Sequence, residues 1–172
     1  NQHLAPSTMT KIGLLSDTHG FLDEGVLRHF EDCYEVWHAG DFGDLALADK
    51  IAAAKPLKGV YGNIDGQDVR SVYPEQLVFY CEEVKVMIRH IGGYPPKYNP
   101  ETKKELTIHR PQLFISGHSH ILKVMYDPAI ECLHMNPGAA GKQGWHKVKT
   151  LIKFAIDGKD IRDASVIELG KR

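Results

Sequence analysis

Residues 11–20, KIGLLSDTHG, join a short apolar run to several polar side chains. The run at 11–16 predicts a buried strand, because a short apolar segment bounded by turn residues is typical of strands inside α/β sheets. Asp17 and His19 follow directly, where this strand ends. Ligands of open α/β sheets bind outside the carboxyl ends of the strands. The stretch therefore predicts both a buried sheet and a polar site at its edge.

The residues after this stretch alternate between helical and strand patterns. Helices are predicted at 21–31 and 44–54, and strands at 34–39 and 57–62. A β-α-β-α-β order implies a parallel sheet with right-handed crossovers, because parallel strands need a connection that returns to the same edge.

The second half of the chain is mostly strand-like and has short connections. Strands are predicted at 76–82, 83–90, 112–117, 121–127, 129–135, 147–156 and 160–169. The exception is a Gly/Pro-rich loop at 92–100, which leads to a short helix near 101–108. We therefore predict an α/β fold, a four-layer α-β-β-α sandwich in which two packed mixed β-sheets are flanked by helices.

Five of the predicted strands end in residues that bind metal ions or polar substrates. These residues are Asp17, His19, Asp41, Asn63, His90, His118 and His120. Imidazole suits zinc, iron, nickel and copper, whereas carboxylate and carbonyl oxygens suit manganese and magnesium. Seven ligands are too many for one tetrahedral site, so the set favours two metal ions that share a bridging carboxylate.

The charge and the hydrophobicity of the sequence argue against two classes of binding partner. The chain has 172 residues, and its 21 basic and 22 acidic side chains give a net charge of −1. Extended nucleic-acid binding usually requires a basic excess, which is missing here. No apolar run approaches the ~20 residues of a membrane helix. We therefore expect a cytoplasmic protein that binds neither extended nucleic acid nor a membrane.

Three cysteines, Cys33, Cys81 and Cys132, lie far apart and form no C-x-x-C pair. This spacing argues against a disulfide framework and against a thiolate zinc site. Structure-like sequence begins directly after Met9. Residues 1–8 are therefore expected to be a disordered leader or tag remnant, and residues 9–172 a single domain.

The polar motifs follow one another in an order that resembles that of a known family. D-x-H begins at Asp17, and G-D, G-N-x-D, a strand-ending histidine and G-H-x-H follow, the last ending at His120. This pattern resembles the calcineurin-like metallophosphoesterase family, whose fold is also a four-layer sandwich. The short chain and strand-rich second half look like its small bacterial and archaeal phosphodiesterase branch. That branch also includes the metal-poor retromer subunit of eukaryotes.

The resemblance implies two divalent metal ions and assigns their ligands. One ion would be held by Asp17, His19, Asp41 and His120, and the other by Asp41, Asn63, His90 and His118. Asp41 would be the bridge. Mn²⁺ is the first expectation, with Zn²⁺, Fe²⁺ and Ni²⁺ as alternatives. A hydroxide held between the ions would attack phosphorus, with Asn63 and Asp65 as the candidate catalytic side chains.

Two positions depart from the family pattern. Many members carry a histidine directly after the motif asparagine, where it protonates the leaving group, but Ile64 stands here. The histidine of the second metal site often follows a glycine in the family, whereas His90 is followed by Ile91-Gly92 and preceded by Arg89. We therefore expect little acid assistance to the leaving group and a retained ligand at His90.

Other aromatic and imidazole side chains have less specific roles. His38 lies inside the second strand and is expected to be packed rather than to bind metal. His134 and His146 flank an Asn-Pro-Gly loop and are candidates for lining the cleft. Tyr94 and Tyr98 either shape a substrate pocket or belong to an ordinary surface loop.

Three functions are compatible with these residues. The favoured one is a phosphodiesterase that acts on a small-molecule phosphate ester. The alternatives are a phosphomonoesterase or protein phosphatase that uses the same site, and a non-catalytic interaction module of the same fold. The module would be expected to have lost ligands, whereas this sequence retains all seven. A homo-oligomer is compatible with the sequence.

Overall fold

The computed structural model describes residues 9–172, and the predicted leader at residues 1–8 lies outside the described residues. The strands are β1 (Thr10–Leu15), β2 (Glu35–His38), β3 (Leu57–Gly59), β4 (Gln76–Cys81), β5 (Val84–Arg89), β6 (Gly93–Tyr94), β7 (Lys97–Tyr98), β8 (Leu113–Ile115), β9 (Lys123–Asp127), β10 (Cys132–Asn136), β11 (Val148–Asp157) and β12 (Asp160–Lys171). The helices are α1 (Gly25–His29), α2 (Leu45–Ala54), α3 (Gln67–Arg70) and α4 (Pro100–His109).

Two five-stranded mixed sheets form the centre of the molecule. In the first sheet the order is β12-β11-β1-β2-β3, with β1, β2 and β3 parallel and with β11 antiparallel to both of its neighbours. In the second sheet the order is β4-β5-β8-β10-β9, with β5, β8 and β10 parallel and both edge strands antiparallel. The predicted parallel β-α-β-α-β unit is confirmed as the β1–β3 half of the first sheet.

Three apolar clusters fill the interfaces between the layers. The first lies between the sheets and includes Ile12, Trp37 and Ile88, which are fully buried. The second packs α1 and α2 against the first sheet, and the third packs α4 against the second sheet. Burial of apolar area at these three interfaces is the main force that holds the layers together. The predicted α-β-β-α sandwich is therefore confirmed.

Local signals set the ends of the longer helices. Asp44 caps α2, because its side chain accepts a hydrogen bond from the Leu47 N–H at 2.7 Å. Asn99 caps α4 in the same way, and Pro100 occupies the first turn, where no backbone donor is lost. Helix α2 buries an apolar stripe that consists of Leu47, Ala48 and Ile51, whereas α4 buries Thr102 and Leu106.

The structure corrects three local expectations. The helix predicted at 21–31 is confined to Gly25–His29. The four-residue helix α3 had no sequence prediction, and the loop predicted at 92–100 contains the two short strands β6 and β7, which form a hairpin. Among residues 9–172, no helix combines the length and the apolar character that crossing a membrane requires.

Candidate metal centre

The loops that follow β1, β2, β5 and β8 meet at one edge of the sandwich. Backbone hydrogen bonds tie them together, because the Asp17 N–H donates to the Gly40 carbonyl at 2.9 Å and the Gly117 N–H donates to the His90 carbonyl at 3.0 Å. The second bond joins two loops of the second sheet. A bond from the His118 N–H to Asp17 Oδ2 at 3.1 Å then joins the two sheets. These four loops carry six of the seven predicted ligands. The seventh, Asn63, lies in the loop after β3, which is joined to them by a bond from the Ile64 N–H to Asp41 Oδ1 at 3.0 Å.

Backbone strain is concentrated in these loops. Five of the nine non-glycine residues with positive φ in the described chain are candidate ligands: Asp17 (54°), His19 (46°), Asp41 (58°), His118 (69°) and His120 (60°). Such conformations are costly for residues with a Cβ and persist only where the surrounding structure enforces them. The fold therefore stabilises an unfavourable backbone in order to direct these side chains to one point.

The first group of ligands consists of Asp17, His19 and His120, whose ligand atoms lie within 4.8 Å of one another. Asp17 Oδ1 is 3.1 Å from His120 Nε2 and 3.7 Å from His19 Nε2. The other carboxylate oxygen, Oδ2, accepts a hydrogen bond from the Ser16 hydroxyl at 2.6 Å. One oxygen is thus fixed by the protein and the other faces the histidines.

The second group consists of Asp41, His90 and His118, again within 4.8 Å. The Nδ1 atom of His90 donates to the Ala39 carbonyl at 2.7 Å, which turns Nε2 toward Asp41 Oδ2 at 3.2 Å. A hydrogen bond of this kind orients an imidazole for metal binding. The Asn63 amide oxygen completes the group, 3.1 Å from His90 Nε2 and 2.9 Å from His118 Nδ1.

Asp41 lies between the two groups. Its Oδ1 accepts a hydrogen bond from the Ile64 N–H at 3.0 Å, so this oxygen is fixed. Its Oδ2 is 3.4 Å from His19 Nε2 in the first group and 3.2 Å from His90 Nε2 in the second. A single carboxylate oxygen therefore faces both groups of ligands.

Asp17 is fully buried and yet strongly favours its ionised form. Burial would raise the pKa of its carboxyl, but the hydrogen bond with His120 and the nearby imidazoles of His19 and His90 outweigh burial. The pKa of Asp17 is therefore held well below its usual range. A buried carboxylate that stays ionised is suited to a cation.

Two of the histidines that face the carboxylates, His19 and His90, show the matching shift, whereas burial lowers the pKa of His118. The neighbouring Asp17 carboxylate, whose Oδ1 is 3.7 Å from His19 Nε2, raises the pKa of His19. Burial lowers the pKa of His90, but Asp41 and Asp17 outweigh burial, and the net effect is a raised pKa. These directions indicate that the two carboxylates attract positive charge at this point.

The donor set fits divalent metal ions. Buried polar atoms are normally hydrogen-bonded, but His19 Nε2 has no hydrogen-bond partner among the described residues although it is buried. This atom faces Asp17 and Asp41, whose inward oxygens also lack backbone donors in the hydrogen bonds described above. A cation would satisfy all of these atoms together.

Asp65 has a different environment from the ligands. It is 3% exposed, and its carboxylate accepts hydrogen bonds from the Phe42 N–H at 3.2 Å, the Gly43 N–H at 2.9 Å and the Gly62 N–H at 2.8 Å. Both carboxylate oxygens are engaged by backbone groups. Asp65 therefore ties the loop after β2 to the loop after β3, which carries Asn63.

His38 is packed, as the sequence indicated. It is fully buried and stacks on Phe42 with ring centroids 3.7 Å apart. Its Nδ1 accepts a hydrogen bond from the Gly40 N–H at 3.1 Å, so its Nε2 donates to the Thr18 hydroxyl at 3.0 Å. Burial lowers the pKa of His38 to about 3. The neutral ring thus supports the loops that carry Asp17 and Asp41.

The two histidines predicted as candidates for lining the cleft, His134 and His146, lie at different depths. His146 is close to the first group, with its ring centroid 5.2 Å from that of His120 and its Nε2 donating to the Gly141 carbonyl at 2.7 Å. His134 is fully buried and packs against Phe114 and Tyr94. Only His146 is therefore placed against a candidate ligand.

The hairpin β6–β7 borders the site. The Tyr94 hydroxyl is hydrogen-bonded to the Ser119 hydroxyl, and Tyr98 donates to Asp127 at 2.7 Å. A cavity of about 330 Å³ lies between this hairpin and His118. A second cavity, of about 260 Å³, adjoins Asn63 and His90 on the other side.

Sequence reasoning missed several residues that hold the ligands in place. Ser16 fixes one oxygen of Asp17, and Asn136 Nδ2 donates to the Gly117 carbonyl at 3.0 Å, which supports the loop carrying His118. The signals were present, because Ser16 precedes the D-x-H motif and Asn136 begins the Asn-Pro-Gly loop. Their partners are set only by the tertiary fold.

An α-β-β-α sandwich with two groups of histidine and acidic ligands at one edge is the arrangement of a metallophosphoesterase. The sequence matches the calcineurin-like phosphoesterase superfamily domain over residues 10–159. The chain belongs to this superfamily, and the predicted resemblance is confirmed. No curated protein was found to match the sequence.

Solved structures with the same fold cover nearly the whole chain. A Vacuolar Protein Sorting 29 from Cryptosporidium parvum is 16% identical, with a TM-score of 0.74 over 95% of this chain and 99% of that one. An archaeal phosphodiesterase is 22% identical, with a TM-score of 0.71 over 92% and 100%. A predicted phosphoesterase from Streptococcus pneumoniae is 19% identical, with a TM-score of 0.66 over 93% and 98%. At these identities the likeness shows a shared fold.

Proposed function

We propose that this protein is a phosphodiesterase that hydrolyses small phosphodiesters with the help of two divalent metal ions. The observation that carries the proposal is the position of Asp41 Oδ2, which faces His19 of the first group and His90 of the second. A carboxylate oxygen shared by two groups of ligands is what two neighbouring metal ions require.

The proposed ligands fall into the two groups that lie together in the structure. Asp17, His19, Asp41 and His120 would hold one ion, and Asp41, Asn63, His90 and His118 the other. Such ions act as Lewis acids and lower the pKa of water. The mixture of imidazole and carboxylate donors without thiolate supports Mn²⁺, with Zn²⁺, Fe²⁺ and Ni²⁺ as alternatives. A Vps29 from Entamoeba histolytica, which shares the fold, was solved in complex with Zn²⁺.

Asn63 is proposed to stabilise the reacting phosphate. Its amide oxygen faces His90 and His118, so its NH₂ group is left to donate to a phosphate oxygen. The residue is exposed at the entrance of the site and is therefore accessible to substrate. Donors placed where negative charge develops lower the barrier of phosphoryl transfer.

The charge beside the site is the same for a diester and a monoester. Arg89 lines the cavity beside Asn63 and His90, and its guanidinium is paired with Glu75 at 3.2 Å and Glu101 at 2.9 Å. Arg70 lines the same cavity and has no carboxylate partner among the described residues, because it donates to the backbone carbonyls of Asp65 and Asn63. The proposed preference for a diester is supported instead by the similarity of the fold to that of the archaeal phosphodiesterase.

The leaving group is expected to receive little help. Ile64 follows Asn63 and cannot donate a proton, and both carboxylate oxygens of Asp65 are bound to backbone N–H groups. A positioned general acid contributes about 10²–10⁴-fold to such reactions. We therefore expect aryl phosphodiesters to be cleaved much faster than alkyl phosphodiesters, because an aryloxide can leave without being protonated.

A non-catalytic interaction module is the second candidate. The similarity to Vps29 structures favours it, because these cover 94–95% of the chain with TM-scores up to 0.74. The retention of all seven ligands favours the enzyme instead. The two candidates differ in one property, which is turnover when metal is bound.

A substrate panel on metal-stripped protein tests the proposal. We expect bis(p-nitrophenyl) phosphate to be hydrolysed only after metal is added, with Mn²⁺ effective, and p-nitrophenyl phosphate to be hydrolysed more slowly. Faster hydrolysis of the monoester would assign a phosphomonoesterase or protein phosphatase. Metal binding without hydrolysis of any ester would support the interaction module and reject the phosphodiesterase.

The state of the three cysteines bears on the cellular compartment in which the protein works. We infer a cytoplasmic protein whose partner is the small-molecule substrate. Cys33, Cys81 and Cys132 are all buried and unpaired. Burial raises the pKa of Cys81 to about 11 and that of Cys132 to about 12, which keeps the thiols protonated and unreactive. Reduced, buried thiols suit a reducing compartment.

A further inference from the structure

The segment 141–147 carries a tryptophan that contributes nothing to the core. Trp145 is 100% exposed, whereas the other tryptophan, Trp37, is fully buried. An indole that stays in water gives up the large apolar stabilisation that tryptophan usually provides. Packing in the core therefore does not account for its place in the chain.

The backbone of this segment is nevertheless held firmly. The Gly141 N–H donates to the Asp17 carbonyl at 3.1 Å, and the Arg172 N–H donates to the Lys147 carbonyl at 3.1 Å. The Arg172 guanidinium also donates to the Gly144 carbonyl. The segment is therefore fixed at both ends and in the middle, and it presents Trp145 from a defined position.

That position is the rim of the first ligand group. A Cβ added to Gly144 would lie 2.1 Å from His120 Nδ1, so the backbone at Gly144 is in close contact with this ligand. The ring of His146 is 5.2 Å from the ring of His120. Trp145 thus lies between two residues that both border His120.

Other exposed apolar side chains adjoin candidate ligands in the chain. Ile64, Ile91 and Ile121 directly follow Asn63, His90 and His120. They are 46%, 38% and 57% exposed. Apolar groups around a few polar ones are typical of sites for small organic ligands.

We propose that Trp145 stacks on a flat aromatic ring of the substrate, in particular a nucleobase. The inference rests on the proposed phosphodiesterase function. Asn63, which is proposed to donate to the reacting phosphate, belongs to the second group of ligands, and the proposal places the leaving group on that side. The group that stays on phosphorus then extends toward His120, where Trp145 stands. Indole faces bind nucleobases by stacking, which tolerates any base.

Two substrates with the same leaving group test the proposal. p-Nitrophenyl thymidine 5′-phosphate and p-nitrophenyl methyl phosphate both release p-nitrophenolate, and only the first retains a base. We expect Trp145→Ala to raise KM for the thymidine ester by about 5- to 100-fold, the range of one lost stacking contact. Its kcat and both constants for the methyl ester should stay within about 2-fold of the unmodified protein, since the transition-state contacts are kept.

Two further variants and a third substrate sharpen the comparison. Trp145→Phe keeps a ring and should restore most of the lost affinity. Tyr80→Ala removes an aromatic side chain that is 67% exposed on the edge strand β4, and KM and kcat for both substrates should stay unchanged. p-Nitrophenyl phenylphosphonate carries a simple ring. A matching loss of affinity for it would support stacking on any aromatic group, and a loss confined to the thymidine ester would support a nucleobase.

Fluorescence provides a measurement that needs no turnover. Thymidine 5′-monophosphate should quench the emission of the unmodified protein and of Tyr80→Ala, because Trp145 is the exposed tryptophan. It should not quench Trp145→Ala, which retains only Trp37. Saturable quenching without hydrolysis of any ester would reject the phosphodiesterase and keep the stacking. Hydrolysis with no quenching, or with equal KM changes for both substrates, would overturn the stacking.

Discussion

At the scale of single residues, the two oxygens of Asp41 have separate tasks. Oδ1 accepts the Ile64 N–H, and this bond orients the carboxylate. Oδ2 lies 3.4 Å from His19 Nε2 and 3.2 Å from His90 Nε2. Removal of this side chain would take one ligand from each proposed metal ion and would leave the flanking histidines without their common partner.

We therefore predict that Asp41→Ala lowers bound metal and reduces turnover by more than about 100-fold. Loss of a group that merely supports a metal ligand already costs about 10–100-fold. Metal analysis of the purified variant and hydrolysis of bis(p-nitrophenyl) phosphate measure both effects. Asp160→Ala, an exposed carboxylate at the start of β12, is the matched control and should be unchanged. Two bound ions with normal turnover in Asp41→Ala would reject the bridge.

Asp65 tests the difference between a catalytic and a positioning role. Asp65→Ala leaves three backbone N–H groups without their acceptor, and each unsatisfied buried group costs about 1–3 kcal/mol. We expect a loss of several kcal/mol in urea unfolding for Asp65→Ala and a smaller loss for Asp65→Asn, which keeps one acceptor oxygen. The dependence of rate on leaving-group pKa should be the same in Asp65→Asn as in the unmodified protein. A steeper dependence would identify Asp65 as the general acid.

At the scale of elements, the loops after the strands approach one another so closely that two of their glycines have no space for a Cβ atom. A Cβ on Gly62 would lie 2.0 Å from Asp41 Oδ1, and a Cβ on Gly117 would lie 2.2 Å from the Ser16 hydroxyl. Distances this short force an atom to move. Glycine is therefore required at both positions so that the carboxylates keep their orientation.

We predict that Gly62→Ala displaces the Asp41 carboxylate and weakens metal binding, with a cost of about 1–3 kcal/mol in stability from overpacking. Gly66→Ala is the matched control, because its Cβ meets only Asp68 Oδ1, at 3.4 Å. Metal titration and urea unfolding of both variants give the comparison. Equal metal affinity in the two variants would show that the Asp41 carboxylate tolerates the displacement.

The elements themselves were predicted where periodicity is strong. The apolar runs of β1, β2, β5 and β8 identify strands, and their parallel order places their ends together. The early start predicted for α1 failed because Asp23 accepts the Gly25 N–H and pairs with Lys149 at 2.7 Å. This pairing joins residues that are distant in sequence, so no local pattern contains it.

The candidate site was predicted in part for the same reason. Strand-end polar residues locate the ligands, but the left-handed backbone of Asp17 and Asp41 depends on the packed loops around them. The orientation of His90 depends on the Ala39 carbonyl, which belongs to the loop after β2. Trp145 gave no signal at all, because only the folded segment 141–147 places it beside His120.

At the scale of the whole molecule, buried neutral histidines link the fold to pH. Burial lowers the pKa of His38 to about 3 and that of His134 to about 4, from an ordinary value of 6.5. The unfolded chain therefore binds protons at these positions more readily than the folded chain. Above pH 6.5 these histidines are neutral in both states and do not affect stability. As the pH falls below 6.5, they are protonated in the unfolded chain first, and this lowers the free energy of unfolding.

We predict that the free energy of unfolding falls by roughly 2 kcal/mol per histidine between pH 6.5 and pH 5, since each pH unit below the unfolded pKa costs about 1.4 kcal/mol. Urea unfolding at several pH values measures the change. His134→Leu removes one of the two groups and should reduce the acid sensitivity by about half. The same acid sensitivity in the variant would show that His134 is protonated in the folded state.

The central claim is that this fold assembles a two-metal site that hydrolyses phosphodiesters. The most direct test is a titration of metal-stripped protein with Mn²⁺, in which bound metal and hydrolysis of bis(p-nitrophenyl) phosphate are measured on the same samples. The account predicts two ions per chain and a rate that reaches its maximum as the second ion binds. One ion or none at saturation, or hydrolysis that does not depend on bound metal, would contradict it.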